Sequence, residues 1–332
     1  MLVIESYPIA IAMTIITMLC WGSWANTQKL ASQKWPFQLF YWDYSIGMVL
    51  LTVVMAFTMG STGDSGRSFL ADLQQADNSA LGTAFLGGVV FNISNILLVI
   101  AIDIAGLAVA FPLGVGLALV LGVGVNYIAN PTGNPILIFV GVALIVVAMV
   151  LNATAYKRMP SDGKKNVNKG IIISIIAGLL MGIFYPIVVE SMSGNFVTPE
   201  VGKLTPYTAL VLFSIGVFIS NFVFNTIVMY KPLSGEKTNY KEYFKLGTPK
   251  LHLIGILGGV IWGIGMLFNV VASGVAGPAI SYGLGQGATL VAALWGVFVW
   301  KEFKGAPKGT NIYIAFMFVA FVIGLGLIIA AK

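Results

Sequence analysis

The chain has 332 residues, 58% of them hydrophobic and 9% charged, with 18 Lys and Arg against 12 Asp and Glu and a net charge of +6. So little polar surface cannot cover a water-soluble body of this length, which makes lipid the expected solvent. The single cysteine, Cys20, excludes an intrachain disulfide and a cysteine metal cluster, and basic residues spread through loops argue against a nucleic-acid partner.

Ten apolar stretches of about 20 residues follow one another, each long enough for the hydrocarbon core. The first, 7–28, lacks a basic leader and ends in Trp21, Trp24, Asn26 and Gln28 instead of a small-residue cleavage site, so it is expected to be a helix of the mature protein. Spacing of i, i+3, i+7 puts Trp21, Trp24 and Gln28 on one stripe and Asn26 on the next; Trp24 alternatively anchors the helix at the membrane interface. The second stretch, 37–60, carries Asp43 about six residues inside its end. An unpaired carboxylate there is costly and protonation relieves it, so Asp43 is the leading proton-coupling candidate; the static alternative is an ion pair with Lys29. The third, 79–103, aligns Asn92 with Asn95, and Asp103 serves the tight turn into the fourth, 105–128. The fifth, 135–155, is continuously apolar, unlike the alternating strands of a membrane barrel, so the fold is helical.

The sixth stretch, 170–192, brings Glu190 near its end as a second coupling candidate, and the seventh covers 205–230. The eighth, 251–273, aligns Trp262, Met266 and Asn269, with His252 at its start as an interface residue. The ninth, 276–300, aligns Tyr282, Gln286 and Thr289, and the tenth is 310–331. We take Trp21, Trp24, Asn26, Gln28, Asn92, Asn95, Trp262, Asn269, Tyr282 and Gln286 as candidate lining of one solute cavity. For Asn92, Asn95 and Asn269 the competing role is interhelical hydrogen bonding, a contribution of about 0.6 to 2 kcal/mol. The glycines of 114–124, 255–263 and 283–287 read mainly as close-packing positions.

Leu86-Gly87-Gly88-Val89 recurs as Leu257-Gly258-Gly259-Val260, and Leu113-Gly114-Val115-Gly116 as Leu284-Gly285-Gln286-Gly287, always 171 residues on. Phe91 falls opposite Trp262, Gly106 opposite Gly277 and Phe111 opposite Tyr282. The second copy starts five crossings after the first, and an odd number of crossings inverts direction. The expected organisation is therefore two inverted five-helix repeats, 1–156 and 170–332, joined by a cytoplasmic linker over 157–169. Placing both termini outside leaves fifteen of the eighteen basic residues in inner loops, as the positive-inside bias requires. The expected setting is an inner or plasma membrane.

No HExxH, GxSxG, metal-spaced acidic pair or GxxxxGK[ST] loop is present. This excludes the corresponding enzymes and ATP-driven transport by this chain alone; no cofactor or metal is expected. Cys20-Trp-Gly-Ser-Trp-Ala-Asn-Thr-Gln-Lys29, Tyr41-Trp-Asp-Tyr-Ser-Ile-Gly47, Pro206-Tyr-Thr-Ala-Leu210 and Tyr230-Lys-Pro232 resemble the ureide permease family and the glucose/ribose porters of the drug/metabolite transporter superfamily. The resemblance spans nearly the whole chain. It implies ten helices in two inverted halves and secondary, proton-linked uptake of small neutral polar solutes such as allantoin, oxo-purines, uracil or sugars. Plant members also carry a long central loop with a Walker-like motif, which this sequence lacks. The competing expectations are an exporter of the same superfamily and a non-transporting channel or scaffold, and a homodimer is an open expectation.

Overall fold

The computed structural model describes residues 1–31, 35–159 and 167–332. Lys34, Lys164, Lys165 and most of the 157–169 linker lie outside them. Among the described residues ten helices are long and apolar enough to cross a membrane: α1 Tyr7–Ala31, α2 Phe37–Phe57, α3 Asn78–Ala105, α4 Val109–Ala129, α5 Pro135–Lys157, α6 Asn168–Ser191, α7 Pro206–Tyr230, α8 Pro249–Ala276, α9 Pro278–Val299 and α10 Thr310–Ile329. The chain is an all-α integral membrane protein. Proline opens α5, α7, α8 and α9, where its missing N–H has no helical partner to lose. The side chains of Asn134 and Thr248 cap α5 and α8.

Two short helices escaped the sequence reading because each is too brief to show a period: Phe69–Gln75, and Tyr240–Leu246 with its Asn239–Glu242 capping box. Two spanning helices, α4 and α9, are also irregular. A wide turn over Pro112–Gly116 opens α4, another over Trp295–Val299 ends α9, and a break at Gln286–Gly287 interrupts α9.

The turns between α3 and α4 and between α8 and α9 pivot on Gly106 (φ 82°, ψ 159°) and Gly277 (φ 87°, ψ 149°), a conformation open only to glycine. Their N–H groups donate to the carbonyls of Ile102 and Ser273. Glycines and bonded carbonyls are all 171 residues apart, so the repeat extends to the backbone.

Loop contacts sort into two faces. On one, the Met1 amino group donates to the Ser65 carbonyl (2.6 Å), Tyr7 Oη donates to the carbonyl of Ile329 (2.7 Å), and Arg67 donates to buried Asp72 and to the carbonyls of Pro199, Glu200 and Lys203. On the other, Arg158 donates to the Lys308 carbonyl, Lys169 to that of Leu233, and Ser234 to Asp103. Termini and even-to-odd loops share the first, termini face; the basic loops share the second, basic face.

Packing repeats with a shift of five helices. The α3–α6 contact has its counterpart in α8–α1, and α2–α8 in α7–α3, while α5 and α10 pair with each other. Glycine carries the closest approaches. A Cβ at Gly88 would lie 2.0 Å from the Phe213 carbonyl oxygen, and one at Gly259 1.9 Å from that of Tyr44, again 171 residues apart.

Candidate functional site

A cavity of about 380 Å³ lies among α1, α3, α4, α6, α8 and α9. One wall is aromatic. Trp21 stacks on Trp262 (5.7 Å between centroids, 16° between planes), Trp262 packs on Phe91 (4.4 Å), and Phe184 and Phe111 continue the surface. Trp24 lines the cavity and packs its ring against Tyr44, 4.9 Å between centroids. The polar groups are Gln28, Asn95, Gln286 and Thr289; among the described residues no charged side chain lines the space. Asn95 Nδ2 donates to Tyr41 Oη (3.1 Å) and Thr289 Oγ1 to the Gln286 carbonyl (3.0 Å). Among the described residues nothing hydrogen-bonds the side-chain amides of Gln28 or Gln286. Unpartnered amides in an apolar chamber, Gln28 partly exposed and Gln286 buried, are the groups that orient a polar ligand.

Of the ten candidates, Trp21, Trp24, Gln28, Asn95, Trp262 and Gln286 thus meet around one cavity. Asn26 lines a smaller antechamber of about 220 Å³ that shares Gly22, Ala25, Phe111, Thr289 and Ala292 with it. There Asn26 Oδ1 accepts from Trp300 Nε1 (2.6 Å). Asn92, Asn269 and Tyr282 lie elsewhere. Asn92 Nδ2 donates to Ser220 Oγ (2.7 Å), bracing α3 on α7, and Asn269 Nδ2 to the Ser281 carbonyl (2.7 Å), bracing the α8–α9 turn. The break at Gln286–Gly287 shifts the phase of α9, so Tyr282 turns into helix packing while Gln286 and Thr289 face the cavity. Phe91, Phe111 and Phe184 were missed as cavity residues; the repeat signalled Phe91, which aligns with Trp262, whereas Phe111 aligns with the packed Tyr282 and Phe184 has no aligned partner.

The antechamber ends at the basic face in an ion pair. Lys29 Nζ lies 2.6 Å from Glu302 Oε1 and 4.3 Å from the Trp300 ring centre, and the Tyr156 hydroxyl donates to the same carboxylate. Lys29 is therefore not the partner of Asp43. That carboxylate, 1% exposed, accepts from Tyr243 Oη (2.5 Å) and Trp35 Nε1 (3.2 Å) and lies 2.9 and 3.0 Å from His252 Nδ1. The reason is packing: Gly255 on α8 lets α2 approach until its Cβ position is 2.4 Å from the Asp43 Cβ, which brings His252 one turn earlier alongside. Burial and the neighbouring carboxylate push the Tyr243 hydroxyl, outside the membrane span, above its ordinary range. Asp43 lines neither the cavity nor the antechamber, but its neighbours touch the cavity: Tyr41 holds Asn95 and Tyr44 holds Trp24. Glu190 is exposed on the termini face beside a groove between α4 and α6, where its carbonyl accepts from Lys203 Nζ.

Ten crossing helices around a central uncharged chamber are the architecture of a multi-pass permease. The family model for ureide permeases matches residues 40–169 and 163–331. The chain belongs to the ureide permease family, and it is a membrane transporter rather than an enzyme. Among its relatives, ureide permease 1 of Arabidopsis thaliana is 23% identical over 391 aligned residues, covering 100% of this chain and 99% of that protein. Ureide permease 5 of Arabidopsis thaliana is 24% identical, covering 99% and 95%. The putative sugar uptake protein YxfA of Lactococcus lactis is 25% identical over 86% of this chain and 98% of its own. A solved crystal structure shares the fold at a TM-score of 0.61 and 12% identity over 97% of this chain and 98% of that one.

Proposed function

We propose that this protein imports a small, uncharged, polar solute of the ureide or nucleobase-like class, bound in the central cavity and coupled to protons. The observation that carries the reading is the pair of amides, Gln28 and Gln286, that no described residue hydrogen-bonds, in a chamber walled by Trp21, Trp24 and Trp262. An amide offers both donor and acceptor, which matches the alternating N–H and C=O edge of a ureido group, and the indole planes suit a flat heterocycle. The absence of charge in the lining favours a neutral solute. The names of the plant relatives point the same way. The relative named as a sugar uptake protein supports a second reading, in which the same planes take the apolar face of a monosaccharide.

The basic face is assigned to the cytoplasm by the excess of Lys and Arg in its loops, with both termini outside the cell. On that assignment the antechamber opens the cavity inward. The two five-helix halves, 1–156 and 170–332, exchange conformations to move the solute, and Asp43 takes up the proton. Thermal-shift screening of the purified protein against ureides, nucleobases, nucleosides and monosaccharides tests the substrate class. Stabilisation by allantoin or uracil is the expected result; stabilisation by monosaccharides alone would transfer the assignment to sugars, and no response to any class would remove it.

A further inference from the structure

Phe111 and Tyr282 occupy equivalent positions of the repeat, each five residues after its pivot glycine, yet their side chains are in opposite situations. Phe111 is half buried and lines both the central cavity and the antechamber between α1 and α9. Tyr282 is fully buried between α4 and α6. Its hydroxyl donates to the Met181 carbonyl (3.0 Å) and lies 3.5 Å from that of Ala118, and its ring fills the place where a Cβ on Gly122 would sit, 2.2 Å away. Tyr185 packs on the ring at 5.0 Å.

Beyond Tyr282, toward the termini face, lies the groove of about 620 Å³ lined by Val125, Asn126, Asn130, Ile183, Glu190 and Lys203 among others. This groove is the counterpart of the antechamber. One lies between the ends of α6 and α4, the other between the ends of α1 and α9, five helices apart and on opposite faces. The antechamber shares five lining residues with the cavity, whereas the groove shares none. Tyr282 stands where the missing connection would run. The counterpart of Gly122 is Ala293, which lines the antechamber and carries a Cβ where the Tyr282 ring sits against Gly122, so a ring entering there seats less deeply than Tyr282 does.

We propose that Tyr282 and Phe111 are reciprocal gates: Tyr282, wedged between α4 and α6, shuts the cavity from the termini face, and Phe111 takes the equivalent place between α9 and α1 when Tyr282 withdraws. The groove beside Glu190 is then the outer antechamber of the path. The two gates are not equal, because only Tyr282 has a hydroxyl to hold it closed. That bond biases the protein toward the state open to the basic face. The proposal rests on the alternating-access reading above, but it assigns the positioning residues that reading leaves open.

The test reads sidedness without any solute. In a Cys20→Ser background, a reporter Met181→Cys, which lines the cavity, is labelled in oriented proteoliposomes by a membrane-impermeant maleimide added to one face at a time. Tyr282→Phe, which keeps the ring and removes one hydrogen bond, is expected to raise labelling from the termini face by about two- to ten-fold, and Tyr282→Ala to raise it further. Phe111→Ala is expected to do the opposite, lowering termini-face labelling and raising basic-face labelling. A merely structural role would move both variants the same way. Changes of the same sign, or no change in Tyr282→Phe, which retains the fold-filling ring, would overturn the proposal. Loss of solute binding with the opposed labelling pattern intact would count against the substrate assignment and leave the gates standing.

Discussion

Replacing Asp43 by Asn separates the energetic role of the buried cluster from its role in coupling. Three groups surround this carboxylate: the Tyr243 hydroxyl at 2.5 Å, His252 Nδ1 at 2.9 and 3.0 Å, and Trp35 Nε1 at 3.2 Å. Asparagine keeps one acceptor and turns the other into a donor. With its oxygen toward Tyr243, its NH₂ meets the Trp35 N–H; with the amide reversed, Trp35 keeps its acceptor and Tyr243 must accept instead of donate. In both arrangements hydrogen bonds to an ionised acceptor, worth about 1.5–3 kcal/mol each, fall to the neutral range of about 0.5–1.5 kcal/mol. In the first, a donor is also left unpaired. The expected loss of stability is about 2–4 kcal/mol. Cys20, the single thiol and half buried, reports unfolding directly through a thiol-reactive dye in a thermal ramp. In proteoliposomes the same variant is expected to lose pH-driven accumulation of solute while retaining exchange. An unchanged melting temperature would refute the energetics of the cluster, and unchanged pH-dependent accumulation would refute Asp43 as the proton site.

Other outcomes follow from the same geometry. Gln28→Ala and Gln286→Ala remove amides that no described residue bonds, so unfolding temperature should hold while solute affinity, read by calorimetry, drops about ten-fold, one hydrogen bond's worth. Glu302→Gln breaks a partly exposed pair with Lys29 and should cost no more than about 1 kcal/mol, less at high salt; a larger loss in a salt-dependent melt would mean the pair is more than a surface bridge. Gly106→Ala and Gly277→Ala force a side chain into glycine-only backbone and should each cost about 1–3 kcal/mol, whereas Gly326→Ala, with open space around it, serves as a neutral control. Because the Tyr243 hydroxyl is held above its ordinary range, it stays a neutral donor well past pH 9 and its contribution is present below about pH 10, fading only as pH rises further. The melting gap between the native protein and Tyr243→Phe should therefore be constant from pH 6 to 9; a gap that varies there would refute this.

The helices were legible because each is a single apolar run, and lipid imposes that uniformity on every crossing. The stripe of Trp21, Trp24 and Gln28 was legible because the interruption of α1 at Trp24 keeps right-handed helical angles (φ −56°, ψ −36°), and all three side chains still line the cavity. Tyr282 was misplaced because period arguments assume an unbroken helix, and the break at Gln286–Gly287 lies in a run of glycines that reads equally well as packing. The partner of Asp43 was beyond reach. His252 is 209 residues away and Tyr243 sits on a seven-residue helix without a detectable period, so only the close approach allowed by Gly255 brings them together. Lys29 was the sequence neighbour, but its reach goes instead to Glu302 across α9.

The exchange of packing between the halves also constrains how the protein is made. Helix α1 packs chiefly on α8 and α9, α3 on α6 and α7, and α5 on α10, so each of these helices meets its main neighbour only once helices of the second half have been synthesised. Until then the first five helices stand in the bilayer with small-residue faces, such as that of Gly88, turned to lipid or to one another. The native bundle therefore assembles late and as a whole. Polypeptide breaks near 160–166 need not be fatal if both fragments share one membrane, but neither fragment alone should reach a stable native form.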